Sequence, residues 1–290
     1  MFDHNETLDE ARARNVRDAL AEDIGGGDWT ARLVPAGARS RARVVVREHA
    51  VLCGRDWFDG CLLALDAAAR IDWLHAEGAP MEPGTTVCEI EADARALLSA
   101  ERPALNFLQL LSGTATRTRR YVQAIAGVTR LRRNASGGCV ILDTRKTLPG
   151  LRQAQKYAVR TGGGHNQRLA LWHGILIKEN HIAAAGGIAA VLANARALEA
   201  GVEIQIEVEN LAQLAEALDA GATSILLDNF ALDRLHEAAA LTDGRALLEA
   251  SGGVRLDDLP AIAATGVDRI SVGALTKDVR AIDYSMRIVG

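Results

Sequence analysis

The chain has 290 residues, of which 49% are hydrophobic, 24% charged and 4% aromatic, with a formal net charge of −4. That composition excludes a disordered, collagen-like or coiled-coil chain, and no apolar run approaches the roughly 18 residues of a membrane span, so no membrane role is expected. A polar, acidic start (MFDHNETLDEARARNVRDAL) predicts neither a signal nor a transit peptide, and four cysteines (Cys53, Cys61, Cys88, Cys139) without a CxxC pair predict reduced, structural thiols in a cytoplasmic protein.

In chain order, Leu8, Ala11, Val16, Ala19 and Leu20 recur at helical spacing and predict a helix over 7–22, stopped by the three glycines of EDIGGGDWT. Residues 40–54 predict β structure. The run DWFDGCLLALDAAA predicts a helix, and the stretches Ile71–His75 and Thr86–Glu91 predict strands. A long helix is expected over about 101–126, with Pro103 in its first turn. Residues 1–118 therefore read as a mixed α+β domain.

Beyond about residue 138, short β-branched runs alternate with Ala/Leu-rich helical runs. CVILDTR, GILIKEN, EIQIEVEN, TSILLDNF, ALLEASGG and DRISVGAL supply six strands, with helical segments between them. This alternation implies parallel βα units, and strands apolar on both faces favour a barrel or barrel-like sheet. The expected fold class is α/β: an incomplete parallel α/β barrel over 119–276, an N-terminal α+β sandwich-like domain, and a tail, 277–290, that packs on that first domain. No GxGxxG lies between a strand and a helix, and no P-loop motif occurs.

Charge is unevenly spread. From Arg117 to Lys178 there are thirteen Lys/Arg and one acid, Asp143, a formal +12; the remaining 20 bases and 36 acids give −16. A basic middle in an acidic chain points to a field focused on an anionic ligand, with a solvated basic face as the plain alternative. Nucleic acid fits less well, because apolar strands interrupt the bases and no nucleic-acid motif is present.

Chemistry in parallel barrels sits at the C-terminal ends of the strands. Here those ends read Asp143-Thr144-Arg145-Lys146, Lys178, Glu207 with Glu209, Asp228-Asn229, Ser251-Gly252-Gly253 and Gly273. Each has a structural alternative. Lys178 can be a solvated loop lysine, and Glu207 and Glu209 an edge-strand solvent face. Asp228-Asn229 can cap the helix starting near Ala231, and Ser251–Gly253 can be a simple turn. Taken together, Arg145, Lys146, Arg168 and Lys178 supply positive charge, Glu207 and Asp228 supply acceptors, and the glycine exits supply backbone N–H groups for phosphate. Such a mixture suits a sugar phosphate with an acidic co-substrate, and a metal shared between carboxylate and pyrophosphate would be Mg²⁺. A barrel aldolase using Lys178 as a Schiff-base amine and a non-enzymatic anion binder remain open on the residues alone.

The runs TRKTLPGLRQAQKYAVRTGGGHNQR (144–168), ILIKENH (175–181), EVEN (207–210), ILLDNF (225–230), SGG (251–253) and VGALT (272–276) resemble the quinolinate phosphoribosyltransferases, as do EDIGGGDWT (22–30) and ERPALNFLQLLSG (101–113). The resemblance covers nearly the whole chain in order. It implies a transfer of phosphoribosyl from phosphoribosyl pyrophosphate to quinolinate with decarboxylation, in NAD biosynthesis, with Mg²⁺. It also implies a homodimer, or a higher oligomer, in which Arg102 reaches the neighbour's site. Arg145, Arg168 and Lys178 would hold the quinolinate carboxylates. Thr144, Lys146 and Gln167 would join them as substrate-binding residues, Lys146 toward the phosphoribosyl donor. Glu207 and Asp228 would meet the ribose hydroxyls and, through water or substrate, the metal; Lys178, Glu207 and Asp228 would carry the chemistry. Ser251, Gly252, Gly253, Val272, Gly273 and Ala274 would take the phosphate. One departure matters: the family often has Asn-His-Arg where this chain has Asn166-Gln167-Arg168. Gln167 can donate a hydrogen bond but carries no charge, and His165, two residues away, is the available substitute, with a plain loop histidine as the alternative.

Overall fold

A computed structural model of the chain describes residues 4–128 and 138–289. Its elements in order are α1 (Leu8–Ile24), β1 (Arg39–Val46), β2 (Ala50–Val51), α2 (Arg55–Leu65), β3 (Arg70–Trp73), β4 (Pro80–Met81), β5 (Thr86–Asp93) and α3 (Ala94–Ile125). Next come β6 (Val140–Leu142), α4 (Arg152–Thr161), β7 (Gly174–Ile177), α5 (Glu179–Ala185), α6 (Ile188–Ala197), β8 (Glu203–Val208) and α7 (Leu211–Asp219). The chain closes with β9 (Ser224–Asp228), α8 (Leu232–Thr242), β10 (Leu247–Ser251), α9 (Leu259–Ala264), β11 (Arg269–Ser271), α10 (Ala274–Lys277) and β12 (Tyr284–Val289).

Two compact units result. The first comprises 1–119, 147–163 and 275–290; the second comprises 120–146 and 164–274. The helical run after the first barrel strand, α4, therefore clusters with the first unit, although it lies within 119–276. Its contacts give the reason. Gln153 Nε2 donates to Glu6 O at 2.7 Å, Asn15 Nδ2 donates to Gly150 O at 3.0 Å, and the Tyr157 ring lies 5.3 Å from that of Trp57.

In the first unit a four-stranded antiparallel sheet runs in the order β12-β1-β5-β3. The C-terminal strand pairs with β1 from Arg41↔Val289 to Val46↔Tyr284. Alternation on β1 and β5 turns Ala42, Val44, Val46, Cys88 and Ile90 inward, where they join Trp57, Phe58, Leu105, Leu108 and Leu111 in one core. Helix α1 starts at a capping box, with the Thr7 side chain on the Glu10 N–H and Glu10 reaching back to Thr7. Helix α3 starts seven residues earlier than the sequence reading, because Asp93 Oδ1 accepts from the N–H groups of Arg95 and Ala96. Pro103 consequently lies inside the helix rather than in its first turn. Cys53, Cys61 and Cys88 are buried, unpaired thiols; burial raises all three and brings Cys61 to about 12.

The second unit is a six-stranded parallel sheet in the order β6-β11-β10-β9-β8-β7. Chain order would put β6 beside β7, but β6 instead pairs with the last strand, β11, so the sheet curls into a barrel left open between β6 and β7. Residues near His165 fill part of that seam: His165 forms a parallel bridge with Leu142. Every paired register puts residues of one parity on one face. Ile177, Ile206, Val208, Ile225, Leu227, Leu248, Ala250 and Ile270 are all buried and share the helix-facing side. The opposite, inner face carries Lys178, Glu203, Gln205, Glu207, Asp228, Glu249, Arg269 and Ser271. Hydrogen bonds across the barrel confirm it: Arg269 to Glu203 at 3.0 Å, Gln205 to Glu249 at 2.8 Å and Lys178 to Glu207 at 2.6 Å. No helix among the described residues is long and apolar enough to cross a membrane.

Candidate active site

The strand ends bring most of the expected residues to one rim. Lys178 follows β7 directly, and its backbone N–H donates to His181 Nδ1 at 3.0 Å, which fixes the turn out of the strand. The Lys178 ammonium then reaches Glu207 Oε2 at 2.6 Å. Glu207 is largely buried and Lys178 about half exposed, so the cation lies at the mouth and the carboxylate beneath it. This removes two alternatives: Glu207 faces the barrel interior rather than an edge, and Lys178 is not an isolated loop lysine.

Asp228 ends β9. Asn229, at φ 56°, turns back so that its Nδ2 donates to Asp228 Oδ2 at 2.8 Å and its backbone N–H donates to Ser251 O at 2.9 Å. Helix α8 begins after Ala231 with no side-chain cap, so Asp228 and Asn229 are not capping it. Gly252 has φ 103°, and a Cβ there would stand 2.2 Å from Asn229 Oδ1. Only glycine fits, both for the left-handed backbone and for the close approach of Asn229. Gly273 is packed the same way against Lys146: a Cβ would meet the Lys146 Cδ at 3.1 Å and Thr144 Oγ1 at 3.7 Å. The strand-exit glycines thus keep the backbone of β10 and β11 open toward Thr144, Lys146, Asp228 and Asn229. Val272 is the exception in this set, since its N–H donates to Leu142 O at 2.9 Å and extends the sheet. Ala274 opens the short α10.

Arg145 and Arg168 form the basic wall. Burial first and the positive charge of Arg145 second hold the Arg168 pKa below its ordinary value. Arg168 donates to Gly174 O at 3.0 Å and lies along the start of β7. Arg145 Nε is buried without a hydrogen-bond partner. Two guanidiniums near enough for one to act on the charge of the other, with a buried donor unmet, are a costly arrangement that an anion relieves.

Asp143 holds this wall in place, and the sequence reading passed over it as a strand-end acid. It is fully buried; its Oδ1 accepts from the Gln167 backbone N–H at 2.9 Å and its Oδ2 from Asn166 Nδ2 at 2.6 Å. The only signal available was a single acid among thirteen bases. Gln167 and His165 share the face of an extended segment and, with Arg168 and Gln205, line a cavity of about 570 Å³ whose wall is otherwise formed by the starts of the strands, at Val140, Gly174, Glu203 and Arg269, and not by Lys178, Glu207 or Asp228. The remaining expected residue, Arg102, belongs to the first unit. It is exposed on α3 and lines a groove with Asp18, Glu22 and Asp23. Among the described residues no cluster of three or more His, Cys, Asp or Glu could hold a metal by itself.

Fold and rim together define an enzyme of the parallel α/β-barrel class, with a cationic wall from β6 and β7 facing carboxylates on β8 and β9. The chain belongs to the quinolinate phosphoribosyl transferase family: its sequence matches that family's N-terminal domain over residues 28–112 and its C-terminal domain over 114–287. It is 41% identical over 287 residues to the nicotinate-nucleotide pyrophosphorylase (carboxylating) of Mycobacterium leprae, covering 96% of this chain and 97% of that one. It is 35% identical over 296 residues to quinolinate phosphoribosyltransferase (decarboxylating) 1 of Nicotiana glauca, covering 94% and 81%. Among solved structures, the nicotinate-nucleotide pyrophosphorylase of Francisella tularensis superposes with a TM-score of 0.91 at 41% identity, over 98% of both chains.

Proposed function

We propose that this protein transfers phosphoribosyl from phosphoribosyl pyrophosphate to quinolinate, yielding nicotinate mononucleotide, pyrophosphate and CO₂ in the de novo synthesis of NAD. The observation that carries this reading is the Arg145–Arg168 pair, two guanidiniums close together with one buried donor unmet. Such a seat favours a ligand with two carboxylates over one with a single carboxylate.

Quinolinate lies against Arg145, Arg168 and Lys178, with Gln167 as a neutral donor. Thr144, Lys146, Ser251, Gly252, Gly253, Gly273 and Ala274 take the phosphates of the donor. The N–H of Val272 is occupied in the sheet, so that residue contributes position rather than a hydrogen bond. Glu207 and Asp228 accept from the ribose hydroxyls. Mg²⁺ fits the same two carboxylates: oxygen ligands in small number, completed by water and pyrophosphate, are its usual coordination, and when bound it neutralises charge on the leaving group. Binding quinolinate draws the Lys178 ammonium toward a second anion, which frees Glu207 to serve the ribose.

The chemistry is a displacement followed by loss of a carboxyl group. As the C1–O bond to pyrophosphate breaks, C1 gains oxocarbenium character, and the carboxylates of Glu207 and Asp228 stabilise the positive charge. The pyridine nitrogen forms the new bond to C1. The resulting cationic ring accepts the electron pair of the C2–carboxylate bond as CO₂ departs, and C2 takes a proton from water. No side chain needs to form a covalent bond; positioning and electrostatics supply the acceleration.

The protein acts in the cytoplasm as a homodimer in which Arg102 of one subunit completes the neighbour's site and helps exclude water. The test is an assay of purified protein with quinolinate, phosphoribosyl pyrophosphate and Mg²⁺. Equal amounts of CO₂ and nicotinate mononucleotide are expected. Turnover of nicotinate in preference to quinolinate, without CO₂, would overturn the assignment.

A further inference from the structure

A chain of three hydrogen-bonding side chains runs through the barrel interior beneath the rim. Gln167 Nε2 donates to Gln205 Oε1 at 2.9 Å, and Gln205 Nε2 donates to Glu249 Oε2 at 2.8 Å. Gln205 is 4% exposed and Glu249 1% exposed. These residues come from three places far apart in sequence: the seam segment, β8 and β10. Resting on the reading above, we infer that Gln205 and Glu249 are positioning residues that fix the amide of Gln167 for an aromatic dicarboxylate substrate.

Each link constrains the next. An amide that donates to Glu249 must turn its carbonyl to the other side, so Gln205 offers Gln167 an acceptor and nothing else. Gln167 must then present its NH₂ group to Gln205, which commits one amide hydrogen and sets the plane in which the second points. The backbone of Gln167 is already held by Asp143 at 2.9 Å. Main chain and side chain are thus fixed from two directions, and a neutral side chain with several rotatable bonds acquires one orientation.

Glu249 is the buried anchor of this chain. Burial pushes its pKa up, and Arg269 on β11, a cation that acts on it, is engaged with Glu203 on β8 at 3.0 Å. The Ser271 hydroxyl lies beside the same carboxyl, yet neither Ser271 Oγ nor Glu249 Oε1 completes a well-directed hydrogen bond. A proton on Oε1 directed at Ser271 satisfies both atoms while Oε2 continues to accept from Gln205. The anchor of the chain then carries no charge to repel the substrate's carboxylates.

Gln205→Leu, Glu249→Leu and Glu249→Gln decide the matter, with KM for quinolinate and for phosphoribosyl pyrophosphate measured separately and thermal melting as a check on folding. Glutamine at 249 reproduces the neutral acid, since its carbonyl accepts from Gln205 and its NH₂ faces Ser271. Gln205→Leu and Glu249→Leu should raise KM for quinolinate about tenfold, as loss of one oriented hydrogen bond implies, with KM for phosphoribosyl pyrophosphate unchanged. Glu249→Gln should keep the wild-type KM for both. Equal KM changes for both substrates, no change at all in a folded Gln205→Leu protein, or a Glu249→Gln protein as impaired as Glu249→Leu would overturn the inference. If Gln205→Leu does not fold, Gln205→Asn, one methylene too short to reach both partners, carries the same comparison. Wild-type protein inactive on quinolinate sinks the proposed function and this inference together, an outcome distinct from any of the variant results.

Discussion

The two large sheets among the described residues use opposite faces for opposite purposes. The antiparallel sheet of the first unit turns its apolar residues toward a single core, where Trp57, Phe58 and Leu108 are fully buried. The aromatic polar atoms there are satisfied: Trp57 Nε1 donates to Asn15, and Tyr284 to Ser112. The parallel sheet of the second unit also buries an apolar face, but against helices. Its inner face is lined by Arg269–Glu203, Gln205–Glu249 and Lys178–Glu207, stacked from the start of the strands to the rim. Barrel interiors are ordinarily filled by branched apolar residues. This one mixes charges and amides with Leu142 and Leu226 on the same face, which gives up part of the hydrophobic burial at the axis and leaves dipoles held rigidly for chemistry. The comparison teaches that stability resides mainly in the faces packed on apolar partners, and activity in the inner face of the barrel.

The sharpest way to break that division is at the rim. Lys178→Ala and Glu207→Ala should each lower turnover by about a thousandfold or more, the scale of losing one preorganised charge in a site, while the thermal melt stays close to wild type. Wild-type turnover in either purified variant would end the assignment of these residues. The converse substitution is Trp57→Ala. Removing this buried ring, with its bond to Asn15 at 3.3 Å and its contact with Tyr157, should cost about 3–5 kcal/mol in denaturant unfolding. Turnover per folded molecule should hold, and a selective loss of kcat would contradict the separation.

A smaller effect concerns Asp59. Burial raises its pKa to about 6, although its carboxylate accepts from Trp73 Nε1 at 2.9 Å. A folded-state value above the unfolded one means that the folded protein holds the proton longer. Stability should therefore fall as pH rises from about 4 to about 6, and the penalty persists above that. Asp59→Asn keeps an acceptor for Trp73 and should flatten this part of the stability-against-pH curve; an unchanged slope would contradict the sign.

Much of the second unit was legible because its strands are short β-branched runs that end in charge or glycine. The pattern TSILLDNF or GILIKEN is bounded on both sides, and period and polarity agree. The residues Lys178, Glu207 and Asp228 could be read from those exits alone. Gln205 and Glu249 could not, because a polar residue inside a strand has the same sequence appearance whether it faces water or a closed barrel. Only the pairing register puts the two on the same, inner face. Asp143 was hidden for a related reason: its role is to hold residues 166 and 167, more than twenty positions away. Helix α3 was read to start at about 101 because Pro103 is a common first-turn residue, whereas the cap is Asp93. The course of α4 into the first unit depends on long-range contacts with Glu6, Asn15 and Trp57 that no local pattern announces.

The central claim is that Arg145 and Arg168 form a seat for two carboxylates. Calorimetric binding of quinolinate and of nicotinate to wild-type protein and to Arg145→Ala tests it most directly. Quinolinate should bind wild type at least about tenfold more tightly than nicotinate, the difference of one charge-assisted hydrogen bond, and Arg145→Ala should erase most of that preference. Equal affinity for the two acids in wild-type protein, or a preference that survives the loss of Arg145, would contradict the account.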